Sequence, residues 1–423
     1  MRFSRSILAA ITALAVCLVV AAPASAVLRV DRSFGANGVV KPQAGDPEID
    51  SILQMALGPR GGIYLLACDG SCSQGTKVVR LRRDGGRDLS YGSGLGAVPL
   101  GSAQETRITV DSSGRLVAAL TTGGTIVVQR FDANGAPDLN FAGDGAVEIE
   151  CGCDGESILE PAGPGQILVG RENSLDVYPP GEGTVNRIEF HLWRLREGGG
   201  FDLSYGVGGA NLVNIDRAYG GSMFSKVSFT RASGQTLLAG LNDTQGIFVH
   251  RLAKNGKDDL AGFAARTQRA LAGLRSPQGQ IPSFVTSIIP RAKGGFDVLG
   301  NTDGFSGFIL RFRQSGHLDR RFGNNGLELL PYVLRSAALG NRGRVFAVGS
   351  GQGADGSLVF WLRRDGTIER AGGRPRVLRL SAWDPSQSTA GVQRGVRPVV
   401  FNKGYDFCRY VCTAHPKLIR FAG

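Results

Sequence analysis

Residues 108–141, ITVDSSGRLVAALTTGGTIVVQRFDANGAPDLNF, contain the whole structural unit from which this chain is built. An apolar segment leads through a turn at Gly114 into a second apolar segment. A third apolar segment ends at Arg130, a turn of Asp, Asn and Gly follows, and a last segment opens at Asp138. Asn and Gly tolerate the positive φ that tight hairpin turns require. The pattern predicts four short antiparallel strands.

The same unit recurs along the chain, and each copy is marked by two positions. The first turn carries a glycine at Gly62, Gly114, Gly165, Gly234, Gly295, Gly343 and Gly404. The third segment has an anchor position at Arg80, Arg130, Arg194, Arg251, Arg311, Trp361 and Arg420. Such repeats predict an all-β, seven-bladed β-propeller with four strands per blade. A single unit cannot bury both faces of its sheet, whereas stacked units can.

An acid follows most anchor arginines by eight residues. The pairs are Arg80 and Asp88, Arg130 and Asp138, Arg194 and Asp202, Arg251 and Asp259, and Arg311 and Asp319. When the turn of a hairpin lies midway, two such positions are nearly opposite, and opposite charges there form a cross-strand pair. We therefore predict a structural clasp between the third and fourth strands. A ring of ligand-binding arginines is the alternative.

One anchor and one acid remain without a neighbour in sequence. Arg420 has no acid after it, and Asp31 has no anchor before it. We therefore predict that the N-terminal strand joins the C-terminal blade and closes the ring. Closure of this kind removes the open sheet edge that would otherwise favour aggregation.

The segments at residues 31–38 and 319–326, both of the form Asp-x-x-Phe-Gly-x-Asn-Gly, resemble delta-60-type propeller repeats. The resemblance extends over nearly the whole chain after residue 26. It is weaker in the fifth and seventh units, where the aromatic residue after Asp259 or Glu369 is displaced or lost. It implies an exported or surface-attached bacterial protein without assigned catalytic chemistry, and it transfers no functional residue.

Residues 1–26 have the pattern of a cleaved secretory signal peptide. Arg2 and Arg5 precede an uncharged apolar run, and small residues end at Ala26. The run is too short for a spanning helix of about 20 residues, and no other stretch qualifies. We expect residues 27–423 to form the propeller and the protein to be secreted or held at the cell surface.

The cysteines that follow residue 26 form three local pairs. They are Cys68 and Cys72, Cys151 and Cys153, and Cys408 and Cys412. In an oxidising compartment an even number of cysteines predicts disulfides, and zinc is the alternative. All six fall in loops at one end of the predicted strands, which we call the cysteine face.

The formal net charge of +12 favours anionic neighbours, although it also serves solubility. We predict a non-catalytic binding or scaffold module, monomeric, that contacts an anionic surface polymer or an envelope protein through the cysteine face. The aromatic residues do not alternate with basic ones, which disfavours nucleic acid. No cofactor is implied.

Three alternatives stay open for the acidic residues of the first three units. These are Asp46, Glu48, Asp50, Glu105, Glu150, Asp154 and Glu156. Two carboxylates from distant positions could serve a polysaccharide hydrolase or lyase. A group of them could hold Ca²⁺. A purely structural surface protein would use none of them.

Overall fold

The structure is a computed structural model. It describes residues 28–42, 49, 51–68, 72, 75–177, 185–218, 225–230, 234–242, 246–257, 262–272, 274, 279, 282–303, 306–351, 356–371, 373–380, 388–393, 397–402 and 416–422. The predicted signal peptide, residues 1–26, therefore lies outside the described residues.

The first half of the chain forms short strands. They are β1 (Arg29–Val30), β2 (Val39–Val40), β3 (Ser51–Leu57), β4 (Ile63–Cys68), β5 (Thr76–Leu81), β6 (Ala97–Gly101), β7 (Glu105–Val110), β8 (Leu116–Thr122), β9 (Thr125–Phe131), β10 (Ala146–Glu150), β11 (Ser157–Gly163), β12 (Gln166–Val177), β13 (Val185–Leu195) and β14 (Ala210–Ala218).

The second half adds more strands and one α-helix. They are β15 (Ser225–Thr230), β16 (Thr236–Asn242), β17 (Gly246–Leu252), α1 (Phe263–Leu271), β18 (Pro282–Pro290), β19 (Phe296–Thr302), β20 (Gly307–Phe312), β21 (Leu327–Leu330), β22 (Val333–Leu339), β23 (Val345–Ser350), β24 (Ser357–Leu362), β25 (Arg370–Ala371), β26 (Arg374–Pro375), β27 (Val377–Leu380), β28 (Ser388–Gln393), β29 (Arg397–Asn402) and β30 (Lys417–Ala422).

The strands form antiparallel sheets arranged in a ring. Four-stranded sheets consist of β3–β6, β7–β10, β11–β14, β18–β21, and β22–β24 with β27. The first strand of each sheet contacts the first strand of the next, and β28 contacts β3. A closed ring of innermost strands with each sheet extending outward is the architecture of a β-propeller.

The prediction of seven four-stranded blades is wrong. If a blade is a sheet of at least four strands, the described residues form six blades: the five above and the sheet that contains β28–β30. The strands β15–β17 form a three-stranded sheet in the same ring, and α1 packs against β17 where a fourth strand was expected. The segment FAARTQRAL consists largely of good helix formers, and the φ of 98° at Gly262 turns the chain into α1.

The N-terminal strands complete the sheet of the C-terminal strands. Strand β1 pairs with β30 through Arg29 opposite Ala422 and Val30 opposite Phe421. Strand β2 also pairs with β30, which gives this sheet five strands. The first and last described segments of the chain therefore share one blade.

Amide side chains connect neighbouring sheets. The Gln54 amide donates to the Ile108 carbonyl at 3.0 Å and accepts from the Ile108 N–H at 2.8 Å. Asn301 makes the equivalent pair of hydrogen bonds to the backbone of Leu334. In both places a side-chain amide replaces a peptide group, so that adjacent sheets are joined close to the axis of the ring.

Candidate functional site

Four of the predicted clasps lie at ion-pair distance. The Nε to Oδ2 distances are 3.3 Å for Arg80 and Asp88, 2.8 Å for Arg130 and Asp138, 2.8 Å for Arg194 and Asp202, and 3.0 Å for Arg420 and Asp31. Arg130, Arg194 and Arg420 are almost completely buried. Asp259 lies outside the described residues, so the partner expected for Arg251 is not seen.

Each clasp arginine also lies over a buried aromatic ring. The distances from the guanidinium carbon to the ring centre are 5.3 Å for Arg80 over Tyr91, 4.5 Å for Arg130 over Phe141, 4.8 Å for Arg194 over Tyr205, and 4.6 Å for Arg420 over Phe34. Stacking of this kind adds cation–π attraction. Burial raises the pKa of the Tyr91 and Tyr205 hydroxyls, so both tyrosines stay neutral.

Three of these arginines, Arg80, Arg194 and Arg420, reach into the next sheet of the ring. Nη1 of Arg80 donates to the carbonyl of Ala133 at 2.6 Å. Nη1 of Arg194 donates to the Lys254 carbonyl, and Nη1 of Arg420 donates to the Arg83 carbonyl. A guanidinium that is buried, stacked and bonded to two sheets is not available to a ligand. These arginines therefore hold adjacent sheets together.

The clasp expected between Arg311 and Asp319 is not formed. Arg311 donates from Nε to Oδ1 of Asp297 at 2.8 Å, while Asp319 accepts from Nη2 of Arg313 at 3.1 Å. Asp297 lies on β19 directly opposite Arg311 on β20. The corresponding residue in other sheets is apolar or aromatic, such as Val117. Arg311 therefore pairs with the nearer carboxylate, that of Asp297.

The Trp361 unit uses a different arginine. Arg344 lies over the Trp361 ring at 4.5 Å, and its Nη1 is 3.3 Å from Oε1 of Glu369. This unit therefore also combines a cation, an aromatic ring and a carboxylate, but its cation is Arg344, the residue directly before β23. The sequence interval alone did not reveal this exchange.

Two of the predicted disulfides are present on the cysteine face. Cys68 is bonded to Cys72, and Cys151 is bonded to Cys153. Cys408 and Cys412 lie outside the described residues. Cys68 ends β4 and is buried, so the first bridge ties the loop after β4 to the core.

The acids of the cysteine face surround one arginine. Arg107 lies 2.7 Å from Glu105 through Nε and 3.7 Å from Glu156 through Nη2. Glu105 also accepts the backbone N–H of Ser157 at 2.8 Å. Two small cavities of about 290 and 160 Å³ border Arg107. Both flanking carboxylates therefore lie within ion-pair distance of one cation.

Of the other acids offered for catalysis or Ca²⁺, Glu150 is exposed at the end of β10. Asp46, Glu48 and Asp50 lie outside the described residues. Within the described part of the chain, no group of three His, Cys, Asp or Glu side chains is placed to hold a metal ion.

A cavity of about 1160 Å³ opens at the other end of the strands. We call this end the turn face, because it carries the turns that join first to second and third to fourth strands. Seven lining residues are basic: Arg251, Arg291, Lys293, Arg311, Arg313, Arg342 and Arg364. The single acidic lining residue is Asp319. We call this cavity the basic groove.

A buried carboxylate organises the base of the basic groove. Asp297 is fully buried and accepts hydrogen bonds from both Arg291 and Arg311. Nη1 of Arg291 also donates to the Gly343 carbonyl at 2.7 Å, which joins the turn before β19 to the turn before β23. Two guanidinium groups on one carboxylate leave a net positive charge beneath the groove.

Three further cations stand at the surface of the groove. Lys293, Arg342 and Arg364 are exposed and have no ion-pair partner among the residues that the structure describes. Lys293 and Arg342 occupy the tips of neighbouring first turns. The sequence analysis did not single out this set, because the three residues belong to different units and become neighbours only through the ring.

Comparisons with known proteins find similar solved structures at low sequence identity. No protein-family model and no curated protein sequence matches this chain. Among solved structures, the WD40 domain of SCAP from fission yeast is 10% identical, with 84% of this chain and 79% of that chain covered and a TM-score of 0.39. The polysaccharide lyase Uly1 is 8% identical, with 89% and 90% covered and a TM-score of 0.44.

A third similar structure is a larger protein. Prolyl oligopeptidase B from Galerina marginata is 11% identical, with a TM-score of 0.46. The match covers 84% of this chain but 47% of that chain, so this chain spans about half of its length. None of the described helices is both long and apolar enough to cross a membrane.

Proposed function

We propose that the protein is an exported, non-catalytic binding module for an anionic polymer of the cell surface. The observation that carries this proposal is the basic groove, in which seven basic residues face a single acid. A concave surface of one sign concentrates ligands of the opposite sign. The net charge of +12 extends the same attraction over the whole chain.

The turn face supports this function more directly than the cysteine face. On the cysteine face, Arg107 is flanked by Glu105 and Glu156, so opposite charges offset one another. The basic groove keeps three exposed cations without such partners among the described residues. Two of the acids considered for a hydrolase or lyase, Glu105 and Glu156, lie 2.7 and 3.7 Å from Arg107.

Export, bacterial origin and a delta-60-type repeat family belong to the same proposal. The support is the N-terminal apolar segment, the repeated Asp-x-x-Phe-Gly segments and the two disulfides. Disulfides persist mainly in oxidising compartments. We expect a monomer, because each innermost strand already packs against its neighbours in the closed ring.

The test is binding of the purified chain to fractionated cell-surface polymers at low and high salt, with the polymer size measured afterwards. We expect binding that weakens strongly with salt and leaves the polymer length unchanged. Shortened polymer would establish an enzyme instead. Absence of binding at either salt concentration would overturn the proposal.

A further inference from the structure

We infer that Lys293, Arg342 and Arg364 form a subsite that binds the oxyanion groups of an acidic polysaccharide. This inference rests on the proposed function and adds the site and the ligand class. The other cations of the basic groove have internal tasks. Arg291 and Arg311 hold Asp297, and Arg313 lies 3.1 Å from Asp319.

The backbone at the tips of two neighbouring turns gives an independent observation. Lys293 has a φ of 62° and Arg342 a φ of 56°. Long basic side chains are uncommon in this left-handed region, which glycine and asparagine occupy at lower cost. The equivalent residues of two other five-residue turns, Arg60 and Ser113, are not in it. Strained backbone of this kind is concentrated at binding sites.

The position of the three cations determines the shape of the ligand. Lys293 lies between β18 and β19, Arg342 between β22 and β23, and Arg364 directly after β24. The groove continues across the ring to Arg251 on β17. A site that spans two neighbouring blades fits an extended polymer segment with several charges better than a single small anion.

The chemistry of the side chains determines the charged group. Guanidinium groups donate pairs of parallel hydrogen bonds to planar or tetrahedral oxyanions, and an ammonium adds a point charge. Carboxylate and sulfate groups on sugars share this chemistry. The sole aromatic lining residue, Phe312, is 1% exposed, so the described groove offers no surface on which nucleic-acid bases could stack.

Several charges must bind together for useful affinity. Each exposed ion pair contributes little by itself, about 0–1 kcal/mol. Linked groups on one polymer then bind with a high effective concentration. We therefore expect affinity to rise steeply with oligosaccharide length and to be negligible for a monosaccharide.

The experiment compares two variants that lose the same charge. The groove variant carries Lys293→Asn, Arg342→Asn and Arg364→Gln, and asparagine suits the left-handed backbone at the first two positions. The control variant carries Lys41→Gln, Arg370→Gln and Arg374→Gln, at exposed positions that do not line the groove. Thermal unfolding of both variants verifies that they fold.

Binding of the wild-type chain and both variants is measured by calorimetry with a polyuronate, a sulfated polysaccharide and single-stranded DNA of similar charge. We expect the wild type to bind a polysaccharide, the groove variant to lose about tenfold or more in affinity, and the control about threefold or less. The two polysaccharides distinguish carboxylate from sulfate as the bound group.

The outcomes separate this inference from the proposed function. Equal weakening of groove and control variants would overturn the subsite while the binding function stands. Preference of the wild type for DNA over both polysaccharides would overturn the ligand class. If the wild type binds none of these or the cell-surface polymers, the proposed function fails as well.

Discussion

Asp297 accepts a hydrogen bond from Arg311 at 2.8 Å between paired strands β19 and β20, in a place where its side chain is fully buried. Arg291 donates to the same carboxylate from the preceding turn. The pair therefore connects the strand framework of one blade to the floor of the basic groove. Disturbing it tests both the clasp and the groove.

Asp297→Ala should lower the free energy of unfolding by about 3 kcal/mol, because two guanidinium groups lose their shared buried counter-ion. Asp319→Ala should cost less than about 1 kcal/mol, because its partner Arg313 is exposed. Urea unfolding midpoints of the two variants measure the difference between these two losses. Equal losses of unfolding free energy would mean that Asp319 stabilises the fold as its spacing from Arg311 first predicted.

Asp31→Ala should weaken the attachment of the N-terminal strands. The change removes the carboxylate 3.0 Å from the buried Arg420 guanidinium and should cost about 1–3 kcal/mol. Arg32→Ala, next to it and exposed, should change stability by less than about 0.5 kcal/mol. Limited proteolysis should release the N-terminal segment faster in the Asp31 variant, and identical digestion rates would contradict this.

Acid should destabilise the protein through the clasp aspartates. Burial of Asp138 alone would raise its pKa, but hydrogen bonds from Asn140 and the charge and hydrogen bond of Arg130 outweigh this and lower it. The pKa of Asp202 is lowered in the same way by Ser204 and Arg194. A lowered pKa gives stability that is complete above the unfolded value, about 3.9, and is lost as the pH falls through the folded value.

We therefore expect an unfolding midpoint that is steady from pH 7 to about pH 5 and decreases below about pH 4. Asp138→Asn should be less stable at pH 7 and should depend less on pH. A variant curve parallel to that of the wild type would show that Asp138 does not contribute to acid unfolding.

Ionisation of Glu328 should lower stability, whereas ionisation of the clasp aspartates raises it. Burial, aided by the charge of Asp365, raises the pKa of Glu328. A raised carboxyl pKa lowers stability as the pH rises through the range where the group ionises. Glu328→Gln should therefore stabilise the protein at pH 7, by less than about 1 kcal/mol because the side chain is only part-buried. A lower midpoint for the variant at pH 7 would contradict the assignment.

Removal of the Cys68–Cys72 bridge should have a limited effect. A loop closed over a separation of four residues removes little entropy from the unfolded chain, about 2 kcal/mol at most. Cys68→Ala with Cys72→Ala should therefore fold and lose no more than this amount. Thiol titration of the unfolded, unreduced wild type should find neither cysteine free, and two reactive thiols at these positions would exclude the bridge.

The repeat pattern was sufficient to predict the strands, their turns and most clasps, because each depends on residues close in sequence. The replacement of a strand by α1 was signalled by FAARTQRAL but obscured by the regular interval from Arg251 to Asp259. The sequence also indicated that Asp297 could replace Asp319 as the partner of Arg311, since an acid in the middle of an apolar strand needs a buried partner.

The basic groove could not be predicted in this way. Lys293, Arg342 and Arg364 are ordinary surface residues within their own units. They form one site only because β18 and β22 lie side by side in the ring. Contacts between sheets depend on how the ring closes, and no local interval in the sequence records that geometry.

The sharing of one blade by β1, β2 and β30 has a consequence for biosynthesis. A ribosome makes Arg420 389 residues later than Asp31. Until then, β1 and β2 have no strand to pair with, and the ring stays open. A prematurely terminated chain keeps these strands unpaired, so it should aggregate or be degraded rather than accumulate as a native-like product. Closure of the ring therefore waits for the synthesis of β30.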